Sequence, residues 1–186
     1  MNLPNALSLS RIFLVPLLVV VLLTKFEGRQ IVGVPKEIVG AAIFGLAALT
    51  DWADGYVARR RKQITTFGQV IDPLADKLLT SAALISLVQM DLAQSWMVAV
   101  IIGREFAVTT LRSLAYARGI AMPASSLGKV KMVAQVVAIL ALILAHGQSR
   151  EFWLIGQAAL WVVMVTALVS AADYFRRFSL FAAPRV

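Results

Sequence analysis

Cysteine is absent from the chain, which removes disulfides, thiolate metal ligation and cysteine nucleophiles from consideration. The single histidine, His146, falls near the expected external end of a helix and reads as a surface residue rather than a ligand. Acidic residues are scarce: ten Asp and Glu stand against eighteen Lys and Arg, for a formal charge of +8. An excess of that size is compatible with nucleic-acid binding, but the basic residues fall between apolar runs instead of lining one soluble face. No nucleic-acid partner is expected; anionic lipid head groups and phosphate-bearing substrates fit better. There is no internal repeat and no low-complexity tract.

What fills the sequence is apolar surface. Hydrophobic residues make up 60% of the 186 positions and the mean hydropathy is +0.81, far above an ordinary soluble domain. At roughly 20 residues per membrane span, about five to seven helices fit, with no room for a separate soluble domain. The expectation is a single all-α, polytopic membrane domain over residues 1–186 with six transmembrane helices. Their apolar cores lie at Ile12–Leu23, Ile38–Thr50, Leu78–Met90, Trp96–Ala107, Val133–Ala145 and Phe152–Ala172. Several cores are shorter than a bilayer, so the second helix is expected to continue into Asp51 and Asp54, and the third to begin before Asp72 and Asp76. The opening MNLPNALSLSR turns apolar without a small-residue cleavage site, so the first run reads as a retained span. Its amphipathic start, before Pro16, suits the membrane interface. Trp96 and Trp153, near helix ends, fit interfacial anchors.

Orientation follows from the basic residues near the span ends. Arg11, Arg59–Lys62, Arg112, Arg118, Lys129, Lys131, Arg176, Arg177 and Arg185 count twelve on one side, against Lys25, Arg29, Lys36 and Arg150 on the other. That asymmetry puts both termini in the cytoplasm.

Two pairs of aspartates carry the chemistry. Asp51 and Asp54 are spaced i, i+3, and Asp72 and Asp76 i, i+4, so each pair shares one face of its helix. A short connection would make the two helices neighbours and let the pairs face each other. An acidic side chain at mid-membrane costs roughly 2.5–3.5 kcal/mol, so four would cost about 10 kcal/mol before their mutual repulsion. Divalent cations would remove that penalty, and oxygen donors without His or Cys favour a hard ion, Mg²⁺ or Mn²⁺, over Zn²⁺. The competing explanation is that the carboxylates only pair with Arg59–Arg61 and Lys77 at the membrane boundary. Against it, Gly55 and Gly68 remove side chains beside the acidic cluster, where a ligand or another backbone can approach, and Ala58 is similarly small.

The pattern Asp51-x2-Asp54-Gly55-x2-Ala58-Arg59-x8-Gly68-x3-Asp72-x3-Asp76 resembles the full signature of the CDP-alcohol phosphatidyltransferases, with all eight positions matched in type and spacing. The resemblance implies transfer of a phosphatidyl or similar group from a CDP-linked donor to an alcohol, with release of CMP. It implies two metal ions shared by Asp51, Asp54, Asp72 and Asp76, with Asp76 also taking the acceptor's proton. By the same resemblance Gly55, Ala58 and Arg59 contact the cytidine nucleotide, and Thr65 and Gly68 lie near it. Asn5 and Ser8 look like the N-terminal element that closes over the nucleotide, Ser8 standing where Thr is more usual.

The acceptor is read from a second group of residues. Arg104-Glu105 within Gly103-Arg-Glu, Arg112, and Gly128-Lys129-Val-Lys131 resemble the bacterial members whose acceptor is sn-glycerol 3-phosphate, as does the opening Met1-Asn-Leu-Pro-Asn. The donor would be CDP-diacylglycerol, the product phosphatidylglycerophosphate, the location the bacterial inner membrane with the active site facing the cytoplasm, and the assembly a homodimer. Arg and Lys at a membrane boundary suit a phosphate-bearing acceptor. Lys129 and Lys131 also satisfy the positive-inside rule without any substrate role. Arg104, set between apolar runs, needs a partner at depth, either Glu105, an aspartate or a substrate phosphate. Members making cardiolipin, phosphatidylserine or phosphatidylinositol phosphate stay open as alternatives. From other classes, so do a divalent-cation transporter and a membrane prenyltransferase.

Overall fold

The computed structural model describes the backbone of residues 3–25, 30–31, 33–61, 66–117, 126–146 and 149–182, and the side chains of residues 9–25, 30–31, 33–50, 74–117, 128, 130–146 and 149–176. Among the described residues six helices follow one another: α1 (Leu3–Leu23), α2 (Lys36–Arg61), α3 (Thr66–Gln89), α4 (Ser95–Ala117), α5 (Ser126–Ala145) and α6 (Arg150–Ala182). Each expected apolar core lies within one of them, to within a residue. As anticipated, α2 runs on without a break through Asp51 and Asp54, and α3 begins before Asp72. Helix α1 passes through Pro16 uninterrupted, with that residue exposed, so the amphipathic start and the apolar run form one helix.

Among the described residues the chain departs from all-α only between α1 and α2. There β1 (Gln30–Ile31) pairs antiparallel with β2 (Val34–Pro35), Ile31 opposite Val34. The turn depends on Gly33 at φ +78°, a left-handed conformation open to glycine at little cost. Directly after it, Lys36 Nζ reaches back and donates to the carbonyls of Leu22 (3.0 Å) and Thr24 (3.3 Å). A cation thus caps the C-terminal end of α1, where backbone carbonyls lack helical partners and the helix dipole is negative. Helix α3 closes on Asp91 at φ 60°. Leu92 N–H donates to Leu87 O at 2.9 Å and Asp91 N–H to Val88 O at 3.0 Å, the paired bonds of a Schellman cap.

The core is built from the inward faces of all six helices, with Leu18, Phe44, Leu84, Ile101, Ile139 and Leu160 fully enclosed. Helix α5 packs along α6 in the most extensive helix pair, α1 lies against α2 and α3, and α4 against α6. Gly156 makes the α5–α6 approach possible. A Cβ built there would stand 2.6 Å from Leu142 Cγ and Cδ2 and 3.1 Å from the Leu142 backbone nitrogen. The side chain can swing away but the backbone cannot, so Gly156→Val should push the helices apart and destabilise the protein by about 2 kcal/mol. A lowered thermal midpoint in detergent, against an unchanged one for an exposed site such as Val162→Ala, is the check.

Among the described residues one helix, Arg150–Arg176, is by itself long and apolar enough to cross a membrane; Leu9–Leu23 and Val130–Ala145 are apolar but shorter. The other helices carry charge into their apolar runs, Asp76 and Lys77 on α3 and Arg104 and Glu105 on α4. Their outward faces are nevertheless apolar. Phe13, Leu46, Ile85, Phe106, Val133 and Val165, one from each helix in turn, are about half exposed or more, a distribution that marks an interaction surface and not a water-facing one.

Candidate active site

Helix α3 delivers Asp76 to the interior, half-buried. One turn on, Thr80 Oγ1 donates to the Asp76 carbonyl at 3.0 Å, so the hydroxyl is taken up by the helix backbone. Two cavities meet at Asp76. The smaller, about 50 Å³, is lined by Arg11, Phe44, Asp76, Glu105, Lys131 and Gln135 among others, enough room for a few waters. The larger, about 250 Å³, is lined by Asp76, Lys77, Arg104, Glu105, Arg112, Lys131 and Tyr174 among others. Asp76, Glu105, Lys131 and Met132 border both and form the partition between them. The larger cavity sets four cations against two carboxylates, an electrostatic bias toward an anionic guest.

The partition is held by a charged network spanning three helices. Arg104 Nη1 donates to Glu105 Oε1 at 2.8 Å, and Lys131 Nζ, from α5, donates to the same oxygen at 2.5 Å. Arg104 Nε donates to the Ala167 carbonyl on α6 at 3.1 Å, and Nη2 to Ser170 Oγ. Ser170 is fully buried and its hydroxyl donates in turn to Thr166 O at 2.7 Å. Unit charges of like sign about 4 Å apart repel by about 4 kcal/mol at the screening typical near a protein surface. A shared carboxylate is therefore what allows Arg104 and Lys131 to occupy one wall. Asp76 acts electrostatically on Lys131 as well.

Four residues expected to serve the reaction, Asp76, Arg104, Arg112 and Lys131, are thus brought to one cavity. Lys131 is buried and paired with Glu105. Arg11, counted from sequence as a loop charge, is also buried and borders Asp76's smaller cavity. Arg104's need for a partner at depth is met by Glu105 and by α6. Gln135, Ser170 and Tyr174 were not singled out from sequence. The signal was present for Gln135 and Ser170, each a polar side chain within an apolar run. His146, expected at a surface, is partly buried at the opposite end of the bundle, bordering a cavity with Lys25, Lys36 and Asp91.

The remaining expected site residues fall outside the described side chains. The backbone puts Asn5 and Ser8 on α1, Asp51, Asp54, Gly55, Ala58 and Arg59 on α2, Gly68 and Asp72 on α3, and Lys129 on α5; Thr65 lies outside the described residues altogether. Among the described residues no group of three or more His, Asp or Glu forms a metal cluster. The donor chemistry still fits a hard divalent ion. Asp72 precedes Asp76 by one helical turn, α2 bearing Asp51 and Asp54 packs against α3, and every candidate donor is a carboxylate oxygen.

A helical bundle that sets Asp76, the last aspartate of the signature, on the border of a cationic cavity defines a class of enzyme that handles phosphate-bearing substrates. The CDP-alcohol phosphatidyltransferase pattern matches residues 1–169, and the chain belongs to that family. It is 47% identical over 183 residues to a Bacillus subtilis (strain 168) protein named CDP-diacylglycerol–glycerol-3-phosphate 3-phosphatidyltransferase, covering 95% of this chain and 94% of the relative. Proteins of the same name from Rickettsia felis and Pseudomonas fluorescens are 34% and 35% identical, over 94% and 95% of this chain and 94% and 89% of their own lengths.

Proposed function

We propose that the chain transfers the phosphatidyl group of CDP-diacylglycerol to sn-glycerol 3-phosphate, giving phosphatidylglycerophosphate and CMP. The observation that carries this reading is the cationic cavity directly beside Asp76, a place for a phosphate-bearing alcohol next to a base. The names of the relatives point the same way.

In this reading the acceptor phosphate sits against Lys131, Arg112 and Arg104, with Lys129 from the same turn of α5. Its hydroxyl then faces Asp76, which takes the proton as the hydroxyl oxygen bonds to the donor's phosphorus and the bond to CMP breaks. Asn5, Ser8, Gly55, Ala58, Arg59, Thr65 and Gly68 hold the CDP moiety. Two divalent ions, Mg²⁺ or Mn²⁺, held by Asp51, Asp54, Asp72 and Asp76, would neutralise the donor pyrophosphate and the departing CMP.

The apolar outward faces support a six-span bundle in the bacterial inner membrane, organised as one domain over residues 1–186 and assembled as a homodimer. The basic residues gathered at the Asp76 end support termini and active site on the cytoplasmic side. CMP release by purified protein in detergent, with CDP-diacylglycerol and Mg²⁺, tests the reaction. Turnover is expected with glycerol 3-phosphate, not with serine, inositol phosphate or phosphatidylglycerol, and should stop on addition of EDTA and return with Mg²⁺. Turnover with another acceptor alone would keep the family and overturn the acceptor; no CMP from any acceptor would favour ion transport over group transfer.

A further inference from the structure

Glu105 has no part in the reaction as just described, yet it stands between the two cavities that meet at Asp76. One of its two oxygens, Oε1, accepts from both Arg104 Nη1 and Lys131 Nζ. The two cations differ in how firmly they are otherwise held. Arg104 is tied to α6 through the Ala167 carbonyl and Ser170, and its guanidinium is planar and rigid. Lys131 ends in an ammonium on a flexible four-carbon stem, and the hydrogen bond that fixes its direction goes to Glu105. The order of constraint runs from α6 to Arg104, from Arg104 to Glu105, and from Glu105 to Lys131. Among the described residues the ammonium makes no other hydrogen bond, which leaves two donor hydrogens for a ligand.

Charge leads to the same place. Without the carboxylate, Arg104 and Lys131 would repel across a poorly solvated wall and the flexible partner would turn away. With it, both stay, and the trio keeps one net positive charge on the border of a cavity that Arg112 also lines.

We infer that Glu105 is a positioning residue for the acceptor phosphate, aiming Lys131 at it beside Asp76, with Ser170 as the anchor of the chain of contacts. The inference rests on the proposed reaction. It predicts a defect confined to the acceptor, because the contacts of the network among the described residues join α4, α5 and α6, whereas the residues assigned to the donor fall within residues 5–8 and 55–68 of the sequence.

The test is steady-state CMP release by full-length protein in detergent, wild type against Glu105→Gln, with each substrate varied in turn. The KM for glycerol 3-phosphate should rise about tenfold or more, the loss of one charge-assisted contact. The KM for CDP-diacylglycerol should stay within about twofold, and kcat within about threefold, as expected when binding and not the chemical step is affected. Inorganic phosphate, as a competitive inhibitor against the acceptor, should weaken in parallel. Ser170→Ala, which removes the anchor and keeps all charges, should show the same selectivity with a smaller rise, and supplies the reading if Glu105→Gln does not fold. An unchanged acceptor KM, or donor and acceptor KM values rising together, would overturn the inference. So would a lower acceptor KM, which would mean that Glu105 competes with phosphate for Lys131. If wild type accepts only alcohols without phosphate, the proposed reaction falls and this inference with it; if wild type uses glycerol 3-phosphate and both variants behave like it, only the inference falls.

Discussion

Asp76→Asn should lower CMP release by about a thousandfold, the range seen when a general base is removed, while leaving the protein folded. The substitution keeps the volume of the side chain and removes its charge and its basicity together. Thr80 bonds to the backbone carbonyl of residue 76 and not to its side chain, so the helix has no reason to change. Asp76 also belongs to a signature of four carboxylates on two packed helices, and neutralising one relieves repulsion. The attraction of Asp76 to Lys131 is lost at the same time, so the thermal midpoint in detergent without added metal should stay close to that of wild type. Activity within about tenfold of wild type would remove Asp76 from the role of base. A loss of both activity and the thermal transition would make it a structural residue.

Lys131→Met is expected to be the second most severe change, and its effect should fall on the acceptor. Hydrogen bonds to charged groups are worth about 1.5–3 kcal/mol, so kcat/KM for glycerol 3-phosphate should drop by roughly ten- to a hundredfold. Removing one member of a buried ion pair often costs 3–5 kcal/mol of stability because a charge is stranded. Here Glu105 retains Arg104 at 2.8 Å, and the unbranched methionine fills most of the volume left by the lysine stem. The fold should survive with a modest loss. Lys131→Arg should restore only part of the activity, since a planar fork cannot reproduce the direction of an ammonium at a site this enclosed. Measuring kcat/KM for both substrates decides the matter: an equal fall for donor and acceptor would place Lys131 outside the acceptor site.

The two sets of contacts were not equally visible from the sequence. The acidic signature was legible because its information is local. Residues 51 to 76 belong to two consecutive helices, and helical periodicity alone puts Asp51 with Asp54, and Asp72 with Asp76, on common faces. The same periodicity explains why six apolar cores translated into six helices, even though Gly33 and the small strand pair went unforeseen, a turn of that size being specified by one backbone angle. Arg104 was recognised as needing a partner, and the adjacent Glu105 was among the candidates. Its other partners were not, since Ala167 and Ser170 lie more than sixty positions away. Arg11 and Lys36 were misplaced for a related reason. Counted as loop charges, one proves to be buried beside Asp76's cavity and the other caps α1.

By itself, then, the sequence determined that this chain is an apolar helical protein carrying the acidic signature of its family, because hydrophobic content and helical spacing are properties of neighbouring residues. Only the tertiary structure decided which cations share a wall with Asp76, that one carboxylate oxygen holds two of them, and that α6 anchors the set. Those pairings join residues from α3, α4, α5 and α6, and depend on how far apart the packed helices come to rest, a distance that Gly156 and Leu142 help to set and that no local pattern encodes.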